Sequence, residues 1–77
     1  METLDPGLNS MVNDYAAAIK SKLLKQQIKG YTGYDDPKKE SIIAKKLAFN
    51  LLTNDWVDVG ALAAMRWQFD RRRQDNE

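Results

Sequence analysis

The sequence predicts an all-α protein with three helices in an antiparallel arrangement. Apolar residues recur at three- and four-residue spacing, aspartate–proline pairs precede two of these periodic segments, and helix-ending residues separate them. The 77 residues make a single helical domain at most. A core of that size leaves only about 3–5 kcal/mol of net stability, so we expect homo-oligomerisation to complete the fold.

The first helix is predicted from about residue 6 to residue 29. Asp5 offers a capping carboxylate, and Pro6 suits the first helical position. Asn9 or Ser10 could instead be the cap, which would start the helix about one turn later. The apolar stripe of this helix consists of Leu8, Met11, Val12, Tyr15, Ile19 and Leu23.

A loop is predicted over residues 30–36, because Gly30 can end a helix and Pro37 disfavours a helical Asp36. The loop offers aromatic rings, a hydroxyl and backbone amides beside a lysine. Tyrosine can stack on a base, while lysine and amides can hold phosphate. We therefore predict a nucleotide-binding site formed by Lys25, Lys29, Tyr31, Thr32 and Tyr34. The alternative is that the tyrosines pack the loop onto the core and the glycines only permit the turn.

The second helix is predicted from about residue 37 to residue 53, where Asp36 and Pro37 repeat the pattern of cap and proline. Its apolar residues occupy more than one side, so a single neighbour would not cover them. They are Ile42, Ile43, Leu47, Phe49, Leu51 and Leu52.

The third helix is predicted from about residue 56 to residue 72, with Asp55 as its cap and a frayed tail over residues 73–77. Its segment WVDVGALAAMRW is apolar nearly all round, which indicates neighbours on more than one side. Gly60 and the nearby alanines lack bulk, so a second helix can approach closely there.

The C-terminal end of the third helix is a second candidate binding site. Tryptophan, methionine and arginine are enriched where proteins bind one another. The predicted partner-binding residues are Trp67, Phe69, Arg71 and Arg72. The alternative is that the arginines are simply solvated charge.

The composition excludes several kinds of chemistry. The chain has no cysteine and no histidine, so it has no disulfide, no thiolate zinc site and no histidine-dependent catalytic set. Any metal would need oxygen ligands, and capping already accounts for most candidates, which are Asp35, Asp36, Glu40, Asp55 and Asp58. We predict no metal, no cofactor and no enzymatic activity.

The charge balance gives no reason to expect direct binding to DNA or to membranes. The chain has 12 basic and 11 acidic residues, for a net charge of +1. Its first residues, METLDP, contain neither a basic region nor an apolar run. We therefore predict a cytoplasmic location.

Two segments, GYTGYDDP at residues 30–37 and NDWVDVGALAAMRW at residues 54–67, carry a family resemblance. With the lysine-rich helix before them, they resemble a group of short uncharacterised bacteriophage proteins. That group has a G-Y/W-G-W/Y-D-D-P loop and a final D-x-V-D-V-A-N-F-A-M-x-x-W helix. The resemblance covers about residues 20–68 and implies a phage accessory protein in the host cytoplasm.

The final helix is also similar to the last helix of all-α nucleotide pyrophosphohydrolases of the MazG type. In that family a carboxylate at the position of Asp58 helps to hold magnesium. Those enzymes need two paired-acid motifs. Here Asp55 and Asp58 could supply one, but Asp36 and Glu40 have the wrong spacing for the other. A reduced magnesium-dependent hydrolase is therefore kept only as an alternative.

The stretch Ile28–Tyr31 is similar to the I-x-G-Y stretch of small oligomeric phage proteins that sequester cyclic oligonucleotide signals of anti-phage defence. Trp56 and Val57 partly match a later R-W-V helix of those proteins. This resemblance implies a nucleotide sponge. We therefore predict a phage-type accessory binding protein that counters host defence or physiology. Its expected partners are itself and either a nucleotide or a host protein.

Overall fold

The computed structural model describes residues 2–31 and 33–75, except for the side chain of Asp75. It consists of α1 (Pro6–Ile28), α2 (Glu40–Leu52) and α3 (Trp56–Asp75), with a short 3-10 turn (Pro37–Lys39) before α2. Over these residues there is no β-strand, which confirms the all-α prediction. No helix in this part of the chain is both long enough and apolar enough to span a membrane.

Asp5 and Asp55 cap α1 and α3 as predicted. The predicted start of the second helix at residue 37 was wrong: residues 37–39 form the 3-10 turn, and α2 begins at Glu40. Asp5 accepts hydrogen bonds from the amides of Gly7 at 2.9 Å and Leu8 at 3.2 Å, so α1 starts at the earlier of the alternative caps. Asp36 likewise accepts a hydrogen bond from the amide of Lys38 at 3.0 Å. The 3-10 turn therefore begins with a capping hydrogen bond from a backbone amide to the Asp36 side chain.

The ends of α1 and α2 share one geometry, in which a residue with positive φ reverses the chain. Gly30 has φ +89° at the end of α1, and Asn54 has φ +60° at the end of α2. In each case the next amide bonds back to the fifth carbonyl before it: Tyr31 to Gln26 and Asp55 to Asn50, both at 3.0 Å. Both helix ends therefore bond several carbonyls of their last turn within the chain.

The predicted end of the third helix was wrong. α3 continues to Asp75, so residues 73–75 are helical rather than frayed, while residues 76 and 77 lie outside the described residues. Arg73 donates a hydrogen bond to Asp70 at 2.7 Å and also bonds Glu40 of α2. These contacts anchor the last turns of α3 to its neighbour.

The helix α3 packs against both α1 and α2, as its apolar surface predicted. Glu40 at the start of α2 bonds Arg66 and Arg73 in the second half of α3, so α2 and α3 are antiparallel. Few side chains are buried. The hydrophobic core of the described residues consists of Ile43, Ala61 and Phe69.

The crossing of α1 over α3 is centred on Gly60. A Cβ atom there would lie 2.5 Å from Ile19 Cδ1 and 2.6 Å from Tyr15 Cζ, so the side chains of Tyr15 and Ile19 occupy the space that a side chain at position 60 would need. The Tyr15 hydroxyl donates a hydrogen bond to the carbonyl of Trp56. Lys22 and Asp58 form an ion pair across the same crossing at 3.4 Å.

Candidate functional site

The two tyrosines of the predicted binding loop are exposed. Tyr31 exposes 71% of its surface and Tyr34 exposes 60%. Such exposure does not fit the part of the alternative interpretation in which the rings pack the loop onto the core. Its other part, in which the glycines permit the turn, fits the positive φ of Gly30 and Gly33.

Two backbone amides of the loop are already used. The Gly30 amide donates to Gln27 and the Tyr31 amide donates to Gln26, both at 3.0 Å, to close the end of α1. These two amides are therefore not available to hold phosphate.

Lys25 and Lys29 are both exposed at the C-terminal end of α1, where lysines complement the negative pole of a helix. Thr32, the remaining predicted ligand-binding residue, lies outside the described residues. Lys39 was not among the residues predicted for this site. Its side chain lies across the loop, since a Cβ atom on Gly33 would be 2.9 Å from Lys39 Cδ. The only signal in the sequence was that Lys38 and Lys39 directly follow the DDP segment.

A shallow groove runs beside the loop, between the start of α2 and the end of α3. Its two adjoining parts share Pro37, Glu40 and Arg73, and the part next to the loop is also lined by Asp35, Phe69 and Arg72. The second part is also lined by Lys38, Ser41, Ala44 and Arg66. The groove therefore places Arg72 near the segment that follows Tyr34, although the sequence analysis assigned these two residues to separate sites.

Glu40 forms ion pairs with two of the arginines that line this groove. Its carboxylate accepts hydrogen bonds from Arg66 at 3.1 Å and from both terminal nitrogens of Arg73, one at 3.3 Å. The hydrogen bonds to Glu40, and secondarily to Asp70, raise the pKa of Arg73 above its ordinary value. Within the described part of the chain, the ion pairs do not include Arg72 or Lys38.

The carboxylates that the alternative hydrolase needs have other partners. Glu40 binds two arginines, and Asp58 pairs with Lys22. Asp36 caps the 3-10 turn, and Asp55 accepts a hydrogen bond from the Asp58 amide at 3.2 Å. Over residues 2–31 and 33–75, no three potential metal-ligating side chains come together.

The predicted partner-binding residues do not all lie on the same side of α3. Trp67 is 60% exposed, and the guanidinium of Arg71 lies 4.8 Å from the centre of its ring. Phe69 is only 6% exposed, so its assignment to an exposed binding surface was wrong. Because each helical residue turns by about 100°, Phe69 lies on nearly the opposite side of α3 from Trp67, facing the core.

No protein-family model, curated protein or solved structure matches the chain. The geometry distinguishes two exposed surfaces with different chemistry. One comprises the exposed loop tyrosines and the arginine-lined groove that follows them along the chain, which neither tyrosine lines, and the other is the stacked pair of Trp67 and Arg71.

Proposed function

We propose that this protein is a phage-type accessory binding protein that sequesters a nucleotide signal and thereby counters host defence. The proposed tyrosine–arginine site consists of Tyr31 and Tyr34 with the lysines around the loop and Arg72 in the groove. One observation carries the proposal: two largely exposed tyrosines belong to a loop that leads into an arginine-lined groove.

The tyrosines would bind the bases. Stacking of one base on an aromatic ring contributes about 1–3 kcal/mol, and it tolerates different bases because every base has an aromatic face. The loop holds two such rings within four residues of each other, at positions 31 and 34. Such a spacing suits a ligand with more than one base, such as a cyclic dinucleotide or trinucleotide.

Cationic side chains would bind the phosphates. Arg73 is occupied by Glu40 and Asp70, so its charge is largely compensated within the chain. Arg72 and Lys38 line the same groove, and Lys39 lies across the loop. An arginine can bind phosphate with two parallel hydrogen bonds, which makes Arg72 the first candidate.

The proposed action is capture without chemical change of the ligand. Glu40, Asp55 and Asp58 are engaged by arginines, by a helix start and by Lys22, so these carboxylates serve the fold. A sponge of this kind lowers the concentration of free signal in proportion to the number of binding sites. The resemblance to phage proteins that sequester cyclic oligonucleotides supports this role.

Calorimetric titration with cyclic dinucleotides, cyclic trinucleotides and linear mononucleotides tests the proposal. We expect saturable binding of a cyclic ligand and at least about a tenfold loss of affinity in Tyr34→Ala and in Arg72→Ala. Arg71→Ala is the matched control, since it removes the same charge one residue away, on the Trp67 ring. Absence of binding to every nucleotide, or equal losses in both arginine variants, would contradict the proposed site.

A second candidate function is binding of a host protein through Trp67 and Arg71. The observation that favours it is the exposed indole ring with a guanidinium stacked on it. Exposed tryptophan and arginine side chains are typical anchors of protein interfaces. A pull-down from bacterial lysate should then recover one host protein with the wild type and with Arg72→Ala, and lose it with Trp67→Ala. Arg72→Ala thus separates the two functions, because it should weaken nucleotide binding and leave the host protein bound.

A further inference from the structure

The apolar stripe of α1 is covered along only part of its length. Ile19 and Leu23, in the C-terminal half, are partly buried beside α3. Leu8, Met11 and Val12 lie on the same face of the helix but are about half exposed, with Met11 at 59%. The face that binds α3 therefore continues, without a change of character, onto a half that α3 does not cover.

The overall dimensions also indicate a missing neighbour. A compact chain of 77 residues has a radius of gyration of about 11–12 Å, whereas this chain has 14.3 Å. A folded monomer of 8.8 kDa exposes about 4,800 Å², whereas this chain exposes 6405 Å². The excess is about 1,600 Å² per chain. The exposed stripe of α1 contributes to it, as do exposed apolar residues of α2 such as Phe49 and Leu52, so two α1 stripes packed together would bury part of it.

The charges along α1 are complementary to those of a reversed copy. Residues 2–19 contain Glu2, Asp5 and Asp14 and no lysine or arginine. Residues 20–29 contain four lysines and no acidic residue. Two antiparallel copies that cross near Met11 and Val12 would overlap as far as about Lys22, so Lys20 of each would come close to the acidic start of the other, whereas parallel copies would place like charges together.

We infer that the exposed face of α1 binds a second copy of this chain. In the inferred dimer the two N-terminal halves pack antiparallel, with the twofold axis near Met11 and Val12. Such an interface is self-complementary, as a twofold homodimer requires. It brings Lys20 of one copy close to Glu2 and Asp5 of the other. This inference is independent of nucleotide binding, because the α1 face and the loop are different surfaces.

The mass of the protein in solution tests the inference. We expect light scattering after size-exclusion chromatography, without nucleotide, to give the mass of two chains for the wild type. Met11→Lys should raise the dimer dissociation constant by at least about tenfold, because it buries a charge at the axis. Leu24→Lys is the matched control: it makes the same kind of change on the opposite side of α1, at a residue 55% exposed, and should leave the dimer intact.

Cross-linking gives a second and independent measurement. The chain has no cysteine, so a single introduced cysteine can form a disulfide only between copies. Under mild oxidation Met11→Cys should form a covalent dimer readily, and Leu24→Cys should not. A wild type that is monomeric throughout the micromolar range would overturn the inference and leave the face for a different partner. An assembly that Met11→Lys leaves unchanged would also overturn it.

Discussion

The two halves of α1 have the same amphipathic pattern but different surroundings. From the middle of the helix onward, Tyr15 and Ile19 pack against Gly60 of α3, and Lys22 pairs with Asp58. In the N-terminal half, Leu8 and Met11 continue the same stripe into solvent. The difference shows that a helical period identifies the apolar face of a helix, whereas a partner surface of suitable shape determines whether that face is covered.

The covered half owes its packing to small features of α3. Gly60 has no side chain, so α1 approaches the α3 backbone closely enough for the Tyr15 hydroxyl to reach the Trp56 carbonyl. The remaining core is modest, with Ile43, Ala61 and Phe69 as its buried members in the described part of the chain. Three substitutions measure how far the stability of the protein depends on covered surfaces rather than on the exposed stripe.

The largest effect is expected for Phe69→Ala. Removing a buried phenylalanine costs about 3–5 kcal/mol, which is comparable to the entire stability expected for a domain of this size. We therefore expect Phe69→Ala to be largely unfolded when measured by circular dichroism. Trp67→Ala, at an exposed position of the same helix, is the control and should lower the free energy of unfolding far less. Equal effects of the two substitutions would show that Phe69 is not a core residue.

Gly60→Leu should have the next largest effect. Its side chain would meet Tyr15 and Ile19, and overpacking of this kind costs about 1–3 kcal/mol. The expected result is a lower free energy of unfolding in urea together with loss of the contact between α1 and α3. Ala63→Leu adds similar bulk to α3 at an exposed position and should change stability by less than about 0.5 kcal/mol. If Gly60→Leu were as stable as this control, α1 would not cross α3 at Gly60.

The smallest effect is expected for Asp5→Ala, which removes the cap of the exposed half of α1. Loss of a capping side chain typically costs about 1 kcal/mol. Helix content measured by circular dichroism should fall slightly, with fraying confined to the first turns of α1. Asp14→Ala removes the same charge within the helix and leaves the cap in place. Similar losses in both variants would mean that charge rather than capping accounts for the effect.

Much of the fold could be predicted because it depends on local chemistry. Asp5 and Asp36 mark helix starts through hydrogen bonds to amides two or three residues away. Gly30 marks a helix end because it can take a positive φ. The all-round apolar character of the third helix correctly indicated neighbours on more than one side.

The candidate site was predicted less completely, because its parts are distant in sequence. The loop tyrosines were identified by residue type, but the groove beside them requires α2 and α3 to pack together, which brings Arg72 near Asp35. Lys39 was missed because its position over Gly33 depends on the turn of the chain after Pro37. Phe69 was wrongly assigned to the exposed binding surface. Its neighbours along the chain do not reveal which side of the third helix faces α2, and Phe69 lies on the buried side.

The sequence by itself determined where helices begin and end and which face of each is apolar, because these properties arise from contacts within a few residues. Only the tertiary structure decided that Glu40 binds Arg66 and Arg73, that Gly60 is the crossing point, and that half of the α1 stripe has no cover. These features join residues more than 20 positions apart, and their geometry follows from how whole helices pack.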